Sequence, residues 1–147
     1  MVFVFNPQRG PEDLDLPKTY GIEVFGRLIE QNIEQAAYVA RLVQGQPTLE
    51  LLAPVTLNVV CFRFCGSDST VNLDAVNKEI VIRLQESGIA VPSMTRLKDQ
   101  VAIRVAITNH RSQRADFDVL VEEVLRIGVD VTNKKLEELQ EKTGRGK

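Results

Sequence analysis

The stretch Gln100–Gly128, QVAIRVAITNHRSQRADFDVLVEEVLRIG, decides the fold. From Gln100 to Thr108 it reads as a strand: with a period of two, Val101, Ile103, Val105 and Ile107 share one face, while Ala102, Arg104, Ala106 and Thr108 share the other. A polar turn, Asn109-His110-Arg111, follows, and Asn109 and His110 are expected to shape it rather than to do chemistry. Phe117, Leu120, Val121, Val124, Leu125 and Ile127 then recur at helical spacing. Ser112 is the expected cap of this helix, with Asp116 and Asp118 near its positive end and Gly128 as its stop. Within the strand, Arg104 is the odd residue, a permanent charge in an apolar run. It either points to water from the wet face of a sheet or meets an anion, which a guanidinium grips in bidentate fashion.

Upstream of this stretch the same grammar repeats. Lys98-Asp99 is a two-residue turn joining it to a strand over Ile89–Leu97, whose internal Pro92 places that strand at an edge or on a bulge. Before it, Asn72 caps a helix that runs to Glu86, with Leu73, Val76, Ile80, Val81 and Leu84 inward and Ser87-Gly88 closing it. Two further strands, Thr48–Ala53 and Leu57–Phe64, are joined by Pro54-Val55-Thr56, short enough for an antiparallel pair. The first helix runs from Ile22 to Val43, where Ile22, Phe25, Ile29, Ile33, Ala36, Ala40 and Val43 form a stripe to be packed along one face. Downstream of Gly128 the chain is charged with a thin stripe of Val131, Leu136 and Leu139, expected as a frayed helix and a flexible basic end. Residues 1–19, with three prolines and no period, read as an arm or linker, within which MVFVF could form a short strand.

The element order is thus helix, strand, strand, helix, strand, strand, helix. It predicts an α+β two-layer sandwich, a mainly antiparallel four-stranded sheet with helices on one face. A chain of 147 residues is long enough for one self-sufficient core. A net charge of −2 argues against nucleic acid as partner, because phosphate neutralisation needs a basic face. Neither a membrane-spanning run nor a signal peptide is visible, so a cytoplasmic location is expected.

Other chemistry finds little support. Cys61 and Cys65 lie on one strand face, too far apart to bridge, and the only histidine, His110, is distant in sequence, so buried free thiols are expected rather than a disulfide or a metal site. Phe62 and Phe64 on a strand are also how some RNA-binding sheets present aromatic platforms, but the basic and glycine pattern of that motif is missing and core packing is the expectation. Glu122-Glu123 and Glu137-Glu138 are expected on solvated helix faces. A glycine-rich phosphate loop and a nucleophile–base constellation are both missing.

The segments YGIEVFGRLIEQNIEQAAYVARLV, LELLAPVTLNVVCFRF, LQESGIAVPSMTRL and VAIRVAITNHRSQRADFDVLVEEV, in this order from Tyr20 to Gly128, resemble the C-terminal domain of the pyridoxal-phosphate-dependent group II amino-acid decarboxylases. That family includes the aromatic-L-amino-acid, histidine and glutamate decarboxylases. The resemblance implies a small C-terminal α+β domain that covers an active site carried by a larger, cofactor-binding domain, in a dimer. It divides the chain into an arm at 1–19 that does not match the family, a decarboxylase-like domain at 20–128 and a charged helix with tail at 129–147. In the glutamate decarboxylase branch the arginine of the corresponding last strand contacts the substrate carboxylate, and Arg104 in AIRVAITNH matches that position. The family's Schiff-base lysine follows a histidine, whereas His110 is followed here by Arg111. The lone chain is therefore expected to bind no pyridoxal phosphate and to be inactive. The alternative expectation is a small-acid-binding or oligomerisation module, in which the sheet face or an apolar patch meets a small anion or a second copy.

Overall fold

A computed structural model describes residues 21–144, so the expectations for the arm at 1–19, including MVFVF, lie outside the described residues. The chain forms α1 (Ile22–Gln44), β1 (Leu49–Leu51), β2 (Val59–Phe64), α2 (Leu73–Ser87), β3 (Ser93–Leu97), β4 (Gln100–Ala106) and α3 (Arg114–Gly144). The strands make one antiparallel sheet in the order β1-β2-β4-β3. The α+β architecture expected from the sequence is the one observed.

Local chemistry explains most boundaries. Lys98 and Asp99 both take left-handed backbone angles, φ 51° and 61°, as a two-residue turn matched to the twist of β3 and β4 requires. Pro92 stands just before β3, one of the two edge strands of the sheet, so the missing N–H breaks no ladder. The Asn72 side chain accepts from the Ala75 N–H at 3.1 Å and caps α2. The bulky faces of β2 and β4, with Val60, Phe62, Ile103 and Val105 at 0% exposure, pack with Phe117, Leu120 and Ile80 of the helices into one core. Phe62 and Phe64 are core residues, as expected.

Four expectations need correction. The apolar stripe of α1 is only half packed. Val39, Ala40 and Val43 are buried, but Ile22, Phe25, Ile29 and Ile33 are 87%, 48%, 43% and 37% exposed. A helix of 23 residues is about 35 Å long at 1.5 Å per residue, so it overhangs strands of seven residues or fewer.

Gly128 does not end the last helix, and Asp130–Gly144 continues it rather than fraying. A Cβ on Gly128 would stand 2.6 Å from the Phe64 ring, so this glycine serves the close passage of α3 over β2.

Ser112 does not cap that helix: its hydroxyl has no hydrogen-bond partner among the described residues. Asp116 instead accepts from the Gln113 N–H at 2.8 Å, which holds its carboxyl below the usual aspartate range.

The alanines beside Arg104 are not open to solvent. Ala102 is 0% and Ala106 4% exposed.

Candidate functional site

β4 lies between β2 and β3, and its register puts Arg104 directly opposite Cys61 on one side and Ser93 on the other. Residues directly opposite in antiparallel strands project from the same face with Cβ atoms about 5 Å apart. Cys61, Arg104 and Ser93 therefore form one row across three strands, on the side of the sheet away from Phe62 and Ile103. All three are half-buried. The guanidinium of Arg104 has no carboxylate or hydrogen-bond partner among the described residues, although five ion pairs engage Arg63, Arg83, Arg96 and Arg126. Burial raises the Cys61 thiol above its ordinary value, and the Arg104 charge works in the opposite direction. The thiol beside Arg104 is therefore neutral near pH 7 and offers no competing anion.

The end of β4 is fixed by α1 and the turn that follows. Asn109 accepts from the Arg111 N–H at 3.0 Å within the turn. Gln31 donates to the His110 carbonyl and Gln35 to the Ser112 carbonyl, at 3.1 and 2.6 Å. Tyr38 donates to Asp118, and the guanidinium of Arg114 stacks 5.2 Å from its ring centre. Asn109 and His110 thus shape the turn, as expected. Gln35 was not singled out in the sequence, where it is one more polar residue beside a helical stripe.

The opposite end of the β2–β4 seam is pried apart by α2. The ladder stops at Phe62↔Ile103, and Asn77 takes over the Phe64 backbone, accepting from its N–H and donating to its carbonyl, each at 2.8 Å. Asp74 accepts from the Val101 N–H at 3.0 Å and lies 3.6 Å from the buried Arg63 and 3.3 Å from Arg96. Asn77 is 0% exposed, a polar group invisible to a hydrophobicity pattern because its partners are distant in sequence.

Cys61 and Cys65 are free thiols, as expected, but half-buried rather than buried. Among the described residues no cluster of metal-ligating side chains occurs, and no helix is long and apolar enough to cross a membrane. A cavity of about 350 Å³ between α1 and the β1–β2 hairpin is lined by Ile33, Ala37, Ala40, Arg41, Leu51 and Leu57, away from the Arg104 row.

No family model matches the chain. It is similar to an aromatic-L-amino-acid decarboxylase of Bacillus atrophaeus, with 26% identity over 117 residues, 78% of this chain and 24% of that protein. Among solved structures, it superposes on the glutamate decarboxylase domain of a diaminobutyrate-pyruvate transaminase and L-2,4-diaminobutyrate decarboxylase from Vibrio parahaemolyticus with a TM-score of 0.67 and 27% identity, covering 74% of this chain and 23% of that one. The fold also matches Oryza sativa TDC, solved with PLP and tryptamine, with a TM-score of 0.70 and 22% identity over 77% of this chain and 25% of that one. The architecture is thus the α+β small domain found in these enzymes. More particularly, the chain resembles the small domain of the group II, pyridoxal-phosphate-dependent decarboxylases, and it spans about a quarter of the length of the relatives it matches.

The described residues do not build a place for pyridoxal phosphate. The cofactor needs a lysine for its Schiff base and an acidic partner for its ring nitrogen. Lys78, Lys98, Lys134 and Lys142 are exposed and Lys135 is half-buried, all on helices or at the tip of the β3–β4 hairpin.

Proposed function

We propose that this chain is the small domain of a pyridoxal-phosphate-dependent amino-acid decarboxylase, with residues 20–128 as the domain proper and Arg104 as the contact to a substrate carboxylate. The observation that carries the proposal is the Arg104 guanidinium, half-buried and unpaired among the described residues; by resemblance, its position matches the arginine that contacts the substrate carboxylate in the glutamate decarboxylase branch. An arginine kept without an acid of its own is free to take one from a ligand. In this reading the cofactor is held by polypeptide other than the described residues, and the chain alone is not catalytic. A cytoplasmic enzyme of amino-acid metabolism accords with the two free thiols, which persist in a reducing compartment.

The test is direct. Mixed with pyridoxal phosphate, the chain alone forms no visible-range aldimine and yields no lysine adduct on borohydride reduction. A stoichiometric adduct at one lysine would overturn the division of labour proposed. Genomic sequence upstream of Met1 that encodes a cofactor-binding domain would support it.

A second reading, association with another copy, is favoured by the exposed Ile22, Phe25, Ile29 and Ile33 of α1. It predicts a dimer mass by light scattering that falls to the monomer when Phe25 and Ile29 are changed to glutamate. A monomer for the unaltered chain at high concentration would rule it out.

A further inference from the structure

The Arg104 site extends over three strands. We propose that Ser93 and Cys61 complete it: the Ser93 hydroxyl donates to the anion that Arg104 holds, and the Cys61 thiol forms the opposite wall, giving a slot for the carboxylate end of a small aliphatic acid. The proposal rests on the reading of Arg104 as a carboxylate contact and adds the residues that flank it.

Three observations carry it. The register places Cys61, Arg104 and Ser93 in a single row, directly opposite one another across β2, β4 and β3. Each of the three is half-buried, so the row is reachable, whereas Ala102 and Ala106, on either side of Arg104 along β4, are closed off. The guanidinium has no partner among the described residues, so its donors are available to an incoming carboxylate. A carboxylate oxygen accepts more than one hydrogen bond, and a hydroxyl one strand away can supply a donor beside the guanidinium fork. On the other side a thiol, small and weakly polar, excludes water without adding charge. The row therefore favours a slim aliphatic carboxylate over a branched or aromatic one.

The thiol makes the site self-reporting. Iodoacetate carries a carboxylate beside its reactive carbon and iodoacetamide does not. With either reagent the Cys61 thiolate sulfur attacks the CH₂ carbon, a C–S bond forms, and the C–I bond breaks with iodide leaving. An anion-binding row holds the carboxylate of iodoacetate next to the sulfur and raises its rate relative to iodoacetamide. Arg104 also influences the thiol's protonation, but this affects both reagents alike and cancels in their ratio.

The experiment uses the Cys65→Ser chain and follows alkylation of Cys61 by mass spectrometry. The expected iodoacetate-to-iodoacetamide ratio is at least fivefold higher than in the Arg104→Gln variant, and glutarate suppresses the excess. Ser93→Ala is expected to raise the glutarate concentration needed for half-suppression about threefold to tenfold. An excess that requires Arg104 but is suppressed equally well by glutarate in Ser93→Ala would overturn the three-strand site while leaving the Arg104 contact standing. A ratio at Cys61 unaffected by Arg104→Gln would overturn both. Arg104→Lys guards against a folding artefact: it keeps the charge and loses the fork, and it is expected to keep only part of the excess.

Discussion

The two ends of the β2–β4 seam carry the same residue type to opposite ends. At the split end, Arg63 is 4% exposed and faces Asp74 at 3.6 Å, in a joint where Asn77 and Asp74 satisfy backbone groups the ladder has abandoned. At the intact end, Arg104 lies half-buried between Cys61 and Ser93 with no acid of its own among the described residues. An arginine provided with a carboxylate by its own fold is architecture, and one left without is available to a ligand. Breaking the first should cost stability and leave binding alone; breaking the second should do the reverse.

The largest effect is expected at Asn77. Asn77→Ala removes both partners of the Phe64 backbone inside the core, and two orphaned buried groups at about 1–3 kcal/mol each place the loss near 3 kcal/mol. Urea unfolding reads it as a lower midpoint with little change in slope.

Asp74→Ala comes next, at about 2 kcal/mol. It orphans the Val101 N–H and leaves the buried Arg63 without its nearby carboxylate, but the Asp74 side chain is 29% exposed and the pair is partly screened. If Asp74→Ala were neutral, Arg63 would not owe its place to this acid and the contrast with Arg104 would lose its first half.

Gly128→Ala tests the packing beside the same joint. Helix propensity favours alanine by about 1 kcal/mol. The added methyl meets the Phe64 ring at 2.6 Å, and overpacking of this kind costs about 1–3 kcal/mol. A net destabilisation, read as a lower melting temperature, is expected; a gain would show that the Phe64 ring yields and that the close passage of α3 over β2 does not require a glycine.

The smallest effect calibrates the other two arginines. Arg126 is paired with Glu123 on the surface of α3, at 2.7 Å. Its hydrogen bonds hold the Glu123 carboxyl below the usual glutamate range. The folded value lies under the unfolded one, so the contribution is complete above roughly pH 4.3 and is lost as pH falls through the folded value. Glu123→Gln should slightly lower stability above about pH 4.3, where the pair contributes in full, and leave the most acid region unchanged, so that the acid limb of a stability–pH curve is slightly flattened.

Much of this was legible in the sequence, and the failures have physical causes. The β3–β4 hairpin and the face assignment of Arg104 follow from turn chemistry and the two-residue period, which are local. Gly128 was misread because a glycine that ends a helix and one that clears a neighbouring ring look alike until Phe64 is known to lie beneath it. Ser112 was a good cap by type, but Asp116 supplies the capping hydrogen bond one residue further on, at Gln113. The wedge formed by Asn77 and the row formed by Cys61 and Ser93 depend on β4 lying between β2 and β3, a tertiary fact that no local pattern contains.

The most direct test of the central claim is a titration of the chain with glutarate, watching the Arg104 side-chain Nε–H resonance by NMR. The account predicts a saturable shift with a dissociation constant on the order of 1 mM, weakened by salt, and no comparable shift at Arg63. Arg104→Ala should abolish the binding and change stability by no more than about 0.5 kcal/mol. An Arg104 signal that does not respond, or a response of equal size at Arg63 and Arg126, would contradict it.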